Sequence, residues 1–281
     1  MENKMIAPTA AEKRARFRAM HESGCFVLPN PWDIGSARMF QHLGFQALAS
    51  TSSGFAWTTG RADYAVTRDD MLAHLSAICA AVDLPVNADF ESGFAPNPQG
   101  VAANVRLAIN AGVAGLSIED RDLENNCLYD KATALGRLKA ARRAVDESGE
   151  NVVLVARTEL LLREPDAISA AIDSLAAFAE AGADCLYAPG VKKREHIRSM
   201  VQAVAPKPVN VLVMDPDMTL SEMQELGVRR LSVGGGLARV GWAAILAAAK
   251  DMNDGSFRSL ADALPGKELN GIFSAFHPGA Q

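Results

Sequence analysis

Along most of the chain, short runs of apolar and β-branched residues alternate with longer alanine-rich segments of helical period. The runs at 25–29, 46–50, 84–89, 114–119, 152–157, 184–188, 208–213 and 229–234 predict eight strands. A helix-like stretch follows each, and several carry start signals. Asp33 precedes one; Thr67 stands three residues before Asp70 and Thr219 three before Glu222, the spacing of a capping box. Four helices run out at a glycine just ahead of the next strand (Gly44, Gly112, Gly182 and Gly227), where a left-handed residue closes a helix. Eight strand–helix units without a long linker predict a single (β/α)8 TIM barrel over residues 1–281. An open doubly wound sheet is the competing arrangement. From about 251 to 281 the pattern changes to a polar turn, a short helix and a tail. This C-terminal helical extension caps the barrel or reaches a neighbouring subunit.

Composition narrows the partners. With 49% hydrophobic residues the chain has ample material for a core, and its formal charge of −5 argues against nucleic acid. The most basic stretch, "EKRARFRAM" at 12–20, reads as an exposed amphipathic helix. Cys25, Cys79, Cys127 and Cys185 are dispersed, with no metal-ligand spacing and no disulfide pattern. The first twenty residues are too charged for a signal peptide and no apolar run reaches membrane length, so the expected location is cytoplasmic.

In a barrel of this kind, polar residues at the C-terminal strand ends carry the chemistry. "PVNADFE" places Asn87, Asp89 and Glu91 at alternate positions, which share one face of a strand. The fourth strand ends in Glu119-Asp120, the fifth at Arg157, the seventh contains Asn210, and the eighth runs into Gly234-Gly235-Gly236. Two carboxylates about 4–5 Å apart repel by roughly 3–4 kcal/mol at an effective dielectric near 20. A hard divalent cation removes that cost, and oxygen ligands without histidine or cysteine favour Mg2+, with Mn2+ as the substitute. Arg157 then offers a fixed fork to a substrate anion. The plainer readings are a structural ion network of Glu119, Asp120, Arg121 and Arg157, a solvated Glu91, and a simple turn at 234–236. Cys127 has no histidine near it to activate it.

With these residues assembled, the sequence resembles the isocitrate lyase/phosphoenolpyruvate mutase superfamily from about Phe26 to Lys250. "NPWDIGSARMFQHLGFQALASTSSG" resembles its first two units, and "PVNADFESGF" its DxDxG signature. "GLSIED", "VLVARTELLL" and "GVRRLSVGGGLARVGWAAI" resemble its metal-shell glutamate, substrate arginine and eighth unit.

The resemblance implies a Mg2+-dependent lyase or decarboxylase for a small 2-oxo or 2-hydroxy carboxylic acid, working through an enolate-like intermediate. It implies Asp89, Glu119 and Asn87 around the metal, with Asp63 of "TGRAD" acting through a bound water. It further implies the Gly54 and Phe55 amides as an oxyanion hole, and Arg157 as anion clamp with Ser53 and Asn210 adding hydrogen bonds. A homodimer or homotetramer that exchanges the C-terminal helix is implied as well. Three departures stand out. Asn87 occupies the first position of the acidic pair. "DRDLENNCLYDKATAL" lacks the Lys-Lys-Cys-Gly-His acid loop and matches poorly the gating loop of the phosphonate enzymes. Ala188 replaces the histidine those enzymes carry. The loop at 121–131 is the expected lid, and the proton donor stays open. A phosphonopyruvate-type P–C mutase or hydrolase and a non-catalytic metabolite-binding barrel are the rival readings.

Overall fold

The computed structural model describes residues 7–276. Eight parallel strands stand where the apolar runs predict them. They are β1 (Phe26–Leu28), β2 (Leu48–Ala49), β3 (Val86–Asp89), β4 (Gly115–Glu119), β7 (Val153–Arg157), β8 (Cys185–Tyr187), β9 (Val209–Leu212) and β10 (Arg230–Ser232). The remaining two, β5 (Arg121–Asp122) and β6 (Cys127–Leu128), form an antiparallel hairpin within the expected lid. The sheet runs β1-β10-β9-β8-β7-β4-β3-β2. Its two ends meet: the Ala49 amide donates to the Pro29 carbonyl at 3.2 Å, and Asn30 binds the Ser50 carbonyl and the amides of Val233 and Gly234. That closure decides for the barrel over the open sheet.

The local signals hold with one exception. Asp33 and Thr67 cap their helices reciprocally. Thr219 accepts from the Glu222 amide, but the Glu222 carboxylate turns to Arg194 at 2.7 Å instead of closing the box. Gly112 and Gly182, each ending a helix before a strand, take φ of 97° and 101°.

The main core lies between the strands and the outer helices, a continuous layer that includes Leu48, Val86, Leu116, Leu154 and Leu186. The barrel interior is a smaller cluster of Leu28, Ala47, Ala49, Ala114, Val153, Val155, Cys185 and Tyr187, and Phe17 enters it from below. The stretch at 12–20 is therefore corrected: helix Ala10–Ala19 is the plug of the barrel floor. Arg14 is buried and donates to the Val113 and Ile109 carbonyls at 3.0 and 2.7 Å, while Lys13 reaches Cys79 and Val82. These bonds satisfy carbonyls near the C-terminal ends of neighbouring helices. Charge alone reads as surface, but here each cation has a carbonyl to meet.

At the other end of the chain, helix Gly236–Asn253 buries only Ala238 and exposes Val240, Trp242, Ile245 and Leu246. Helix Gly266–Ser274 then turns back onto helix Ile34–His42, where the Arg38 guanidinium lies 5.2 Å from the Phe276 ring centre. The last five residues of the predicted tail lie outside the described residues. Among the described residues no helix is long and apolar enough to cross a membrane.

Candidate active site

The ends of β2 and β3 are knitted together, and this aims Asp89. The Asp89 amide donates to Ser50 Oγ at 2.9 Å. The Ser52 amide and hydroxyl donate to Asp89 Oδ2 at 3.0 and 2.8 Å. Next to Asp89 stands Arg157 at the end of β7, which lies alongside β4 and its terminal Glu119. Arg157 Nη1 is 3.3 Å from Asp89 Oδ1, and its Nε is 3.4 Å from Glu119 and 2.5 Å from Glu159. Three carboxylates thus converge on one guanidinium, as the strand ends predict for two of them. Their company raises the Arg157 pKa although burial alone would lower it. The fork is less free than expected: among the described residues Nη2 alone has no hydrogen-bond partner.

The acid excess shows in the protonation of the others. Burial, and then the Asp89 and Asp63 charges, push Glu91 up to about 8. Glu119 is raised well above the ordinary carboxylate range by burial and by Glu159, Asp89 and Glu91, against the opposing pull of Arg157. Asp63 stands at the solvent-reached mouth, yet the surrounding protein and Asp89 still raise it. Glu91 Oε1 and Glu119 Oε1 are buried and find no hydrogen-bond partner among the described residues. Two orphaned carboxylate oxygens in an all-oxygen acidic cluster fit a hard divalent cation. Among the described residues no three acidic, histidine or cysteine groups stand close enough to hold one ion between them. One or two direct protein ligands, with water completing the shell, match the habit of Mg2+.

The expected metal set changes accordingly. Asn87 is inside the barrel but one level lower, where its Oδ1 faces Arg230 at 3.4 Å and its Nδ2 donates to the Ala88 carbonyl. The glycine of the DxDxG pattern fixes the register: Gly93 follows Asp89 and Glu91, so those two form the acidic pair. Glu91 lies beyond the end of β3 and takes φ of 46°, so strand alternation stops short of it.

The oxyanion-hole assignment also changes. Thr51 caps helix Ser52–Thr58, and its hydroxyl takes the Gly54 amide at 3.2 Å while its carbonyl takes that of Phe55 at 3.0 Å. Neither amide is left for a substrate; among the described residues the neighbouring Ser53 amide has no acceptor. Gly54 is required for another reason. A Cβ there would lie 2.6 Å from Thr51 Cγ2 and 3.0 Å from Trp32 Cβ. Asn210 is engaged at both ends, accepting from Arg230 at 2.9 Å and donating to Ser232 at 3.0 Å. The Gly234–Gly236 stretch is a turn whose first amide is held by Asn30. Asp120 accepts the Glu159 amide at 2.9 Å and shapes the site from behind. Cys127 is exposed on the hairpin.

Two site members were missed. Glu159 is buried and is the nearest partner of Arg157; its adjacency in "RTE" was the available signal. Tyr64, at a φ of 64°, lies near the acidic cluster, and burial first, then the Glu119 and Glu159 charges, raise its phenol pKa. The Arg121 guanidinium sits 4.4 Å over its ring and ties the hairpin to the 61–65 segment.

The family model for phosphoenolpyruvate phosphomutase matches residues 17–253. A Burkholderia cenocepacia structure described as a lyase/mutase is 40% identical, with a TM-score of 0.90, covering 94% of this chain and 96% of its own. The structure of oxaloacetate acetylhydrolase with its product oxalate is 26% identical, with a TM-score of 0.81, covering 94% and 93%. The 2-methylisocitrate lyase of Halalkalibacterium halodurans is 25% identical over 82% of this chain and 74% of its own.

Proposed function

The chain belongs to the phosphoenolpyruvate phosphomutase family, within the isocitrate lyase/phosphoenolpyruvate mutase superfamily, and from that premise we propose a carbon–carbon lyase or decarboxylase for a small 2-oxo or 2-hydroxy carboxylic acid. The observation that carries this reading is the buried pair of unpartnered carboxylate oxygens, Glu91 and Glu119, beside Asp89 and Arg157. One or two of Glu91, Glu119 and Asp89 would hold Mg2+ or Mn2+ directly, with the rest and Asp63 reaching it through water. When bound, the cation supplies charge stabilisation for the oxygen beside the scissile bond.

The protein's own groups supply the rest. The Ser53 amide offers a donor where oxyanion charge develops, with its hydroxyl alongside. Arg157, held in place by Glu159, turns Nη2 toward the substrate carboxylate. The hairpin, latched by Arg121 on Tyr64, keeps water out. The enolate-like species left when the carbon–carbon bond breaks would take its proton from water or from a residue of the 121–131 loop.

A turnover panel of oxaloacetate, methylisocitrate-type acids and phosphonopyruvate, with and without Mg2+, tests the reading. Metal-dependent carbon–carbon cleavage is the expected result. Turnover of phosphonopyruvate alone would instead support P–C chemistry, and oxalate binding with no turnover a metabolite-binding barrel. We further propose a cytoplasmic homodimer or homotetramer. Four free cysteines suit a reducing compartment, and the exposed apolar face of Gly236–Asn253 suits a second copy of the chain.

A further inference from the structure

Below the acidic cluster the barrel holds a second guanidinium that the mechanism above does not use. Arg230, the first residue of β10, is 2% exposed. Its Nε donates to Asn210 Oδ1 at 2.9 Å, and its Nη1 faces Asn87 Oδ1 at 3.4 Å and His21 Nε2 at 3.3 Å. The His21 Nδ1–H donates to the Phe17 carbonyl at 2.7 Å, so Nε2 presents a lone pair and the ring is neutral. Burial, and then Arg230 itself, hold His21 down at about 3. The Phe17 ring lies 5.9 Å away. Every partner of Arg230 is therefore uncharged, and among the described residues no carboxylate pairs with it.

The fold keeps this arrangement on purpose-built space. A Cβ at Gly115 would lie 2.7 Å from Asn87 Oδ1 and 2.8 Å from Phe17, displacing two of the groups around Arg230. A buried cation with no counter-charge is costly unless something anionic completes it.

Position tells what that anion is. One cavity, lined by Asp89, Arg157 and Ser117 and also by Arg230, Asn210 and Ser232, joins the acidic cluster to the second guanidinium and has a volume of about 40 Å3. That is more than one water needs, and enough for a carboxylate. Of the two arginines, Arg157 is already surrounded by Glu159, Glu119 and Asp89, whereas Arg230 meets only neutral acceptors. We propose that Arg230 is a specificity-determining residue that receives the second carboxylate of a dicarboxylic substrate at the barrel floor. The proposal rests on the small-acid reading above and names which cation selects a dicarboxylate over a monocarboxylate.

Calorimetric titration of the full chain in Mg2+ with 3,3-difluorooxaloacetate, a dicarboxylate, and with pyruvate, its monocarboxylate counterpart, tests this. The wild type is expected to prefer the dicarboxylate. Arg230→Gln is expected to weaken it by about tenfold to a hundredfold, the value of a charge-assisted bond, and to leave pyruvate within about twofold. Arg230→Lys, which keeps the charge without the fork, is expected to keep part of the preference; it carries the comparison if Arg230→Gln does not fold. Equal loss for both ligands, or no loss for either, overturns the role of Arg230. A wild type that binds neither ligand in Mg2+ or Mn2+ overturns the small-acid reading itself, a result distinct from the first.

Discussion

Glu91 concentrates the electrostatics of the site. Its side chain is buried, its backbone is left-handed, and one of its oxygens has no partner. A folded-state pKa of about 8, against an ordinary value of 4.5, means that the folded chain binds this proton more tightly than the unfolded one. The contribution is fully present below the ordinary value and is lost as pH rises through about 8. The melting temperature of the metal-free protein is therefore expected to fall between about pH 5 and 8. Glu91→Gln is expected to flatten that slope, and so is Mg2+, whose binding must displace the proton. Thermal melts across this range, with and without the ion, check both statements. A slope unchanged in Glu91→Gln would assign it to Glu119 or Asp63 instead.

At the scale of elements, the N-terminal helix does what a bottom loop does in a simpler barrel. The inner faces of the strands there carry Ala47, Ala114 and Gly115, too small to fill the interior, and Phe17 supplies the missing volume. Phe17→Ala is expected to cost about 3–5 kcal/mol of stability, as fully buried aromatic truncations do. Urea unfolding followed by circular dichroism measures it. Mg2+ uptake in the folded fraction is expected to persist, because Phe17 lies on the floor and Glu91 and Glu119 at the mouth. A cost under about 1 kcal/mol would mean that the helix packs without sealing the barrel.

At the scale of the whole molecule, helix Gly236–Asn253 presents an exposed apolar face among the described residues. Val240, Trp242, Ile245 and Leu246 stand 68%, 45%, 59% and 56% exposed on a helix that leaves the barrel after β10. So much apolar surface on one helix favours burial against another chain. A cavity lined by Trp57, Val213, Met214, Pro216, Leu237 and Trp242 lies alongside it. Trp242→Asp combined with Ile245→Asp is expected to yield a monomer in light scattering where the wild type gives a dimer or tetramer. An unchanged mass in the variant would move the interface elsewhere.

What could be read directly from the chain is what local pattern encodes. The eight units, most helix caps and the glycine stops depend on residues within a few positions of one another, and they reappear at their places. The convergence of Asp89, Glu119 and Arg157 was legible too, because strand ends share one mouth. Tertiary structure alone decided which level of the barrel each side chain reaches. Strand register and stagger sent Asn87 down to Arg230 and kept Asp89 up at Arg157. Closure drew the basic first helix under the floor, where Arg14 meets the Val113 carbonyl. Such pairings join residues tens of positions apart through space, where distance, burial and competing partners settle them.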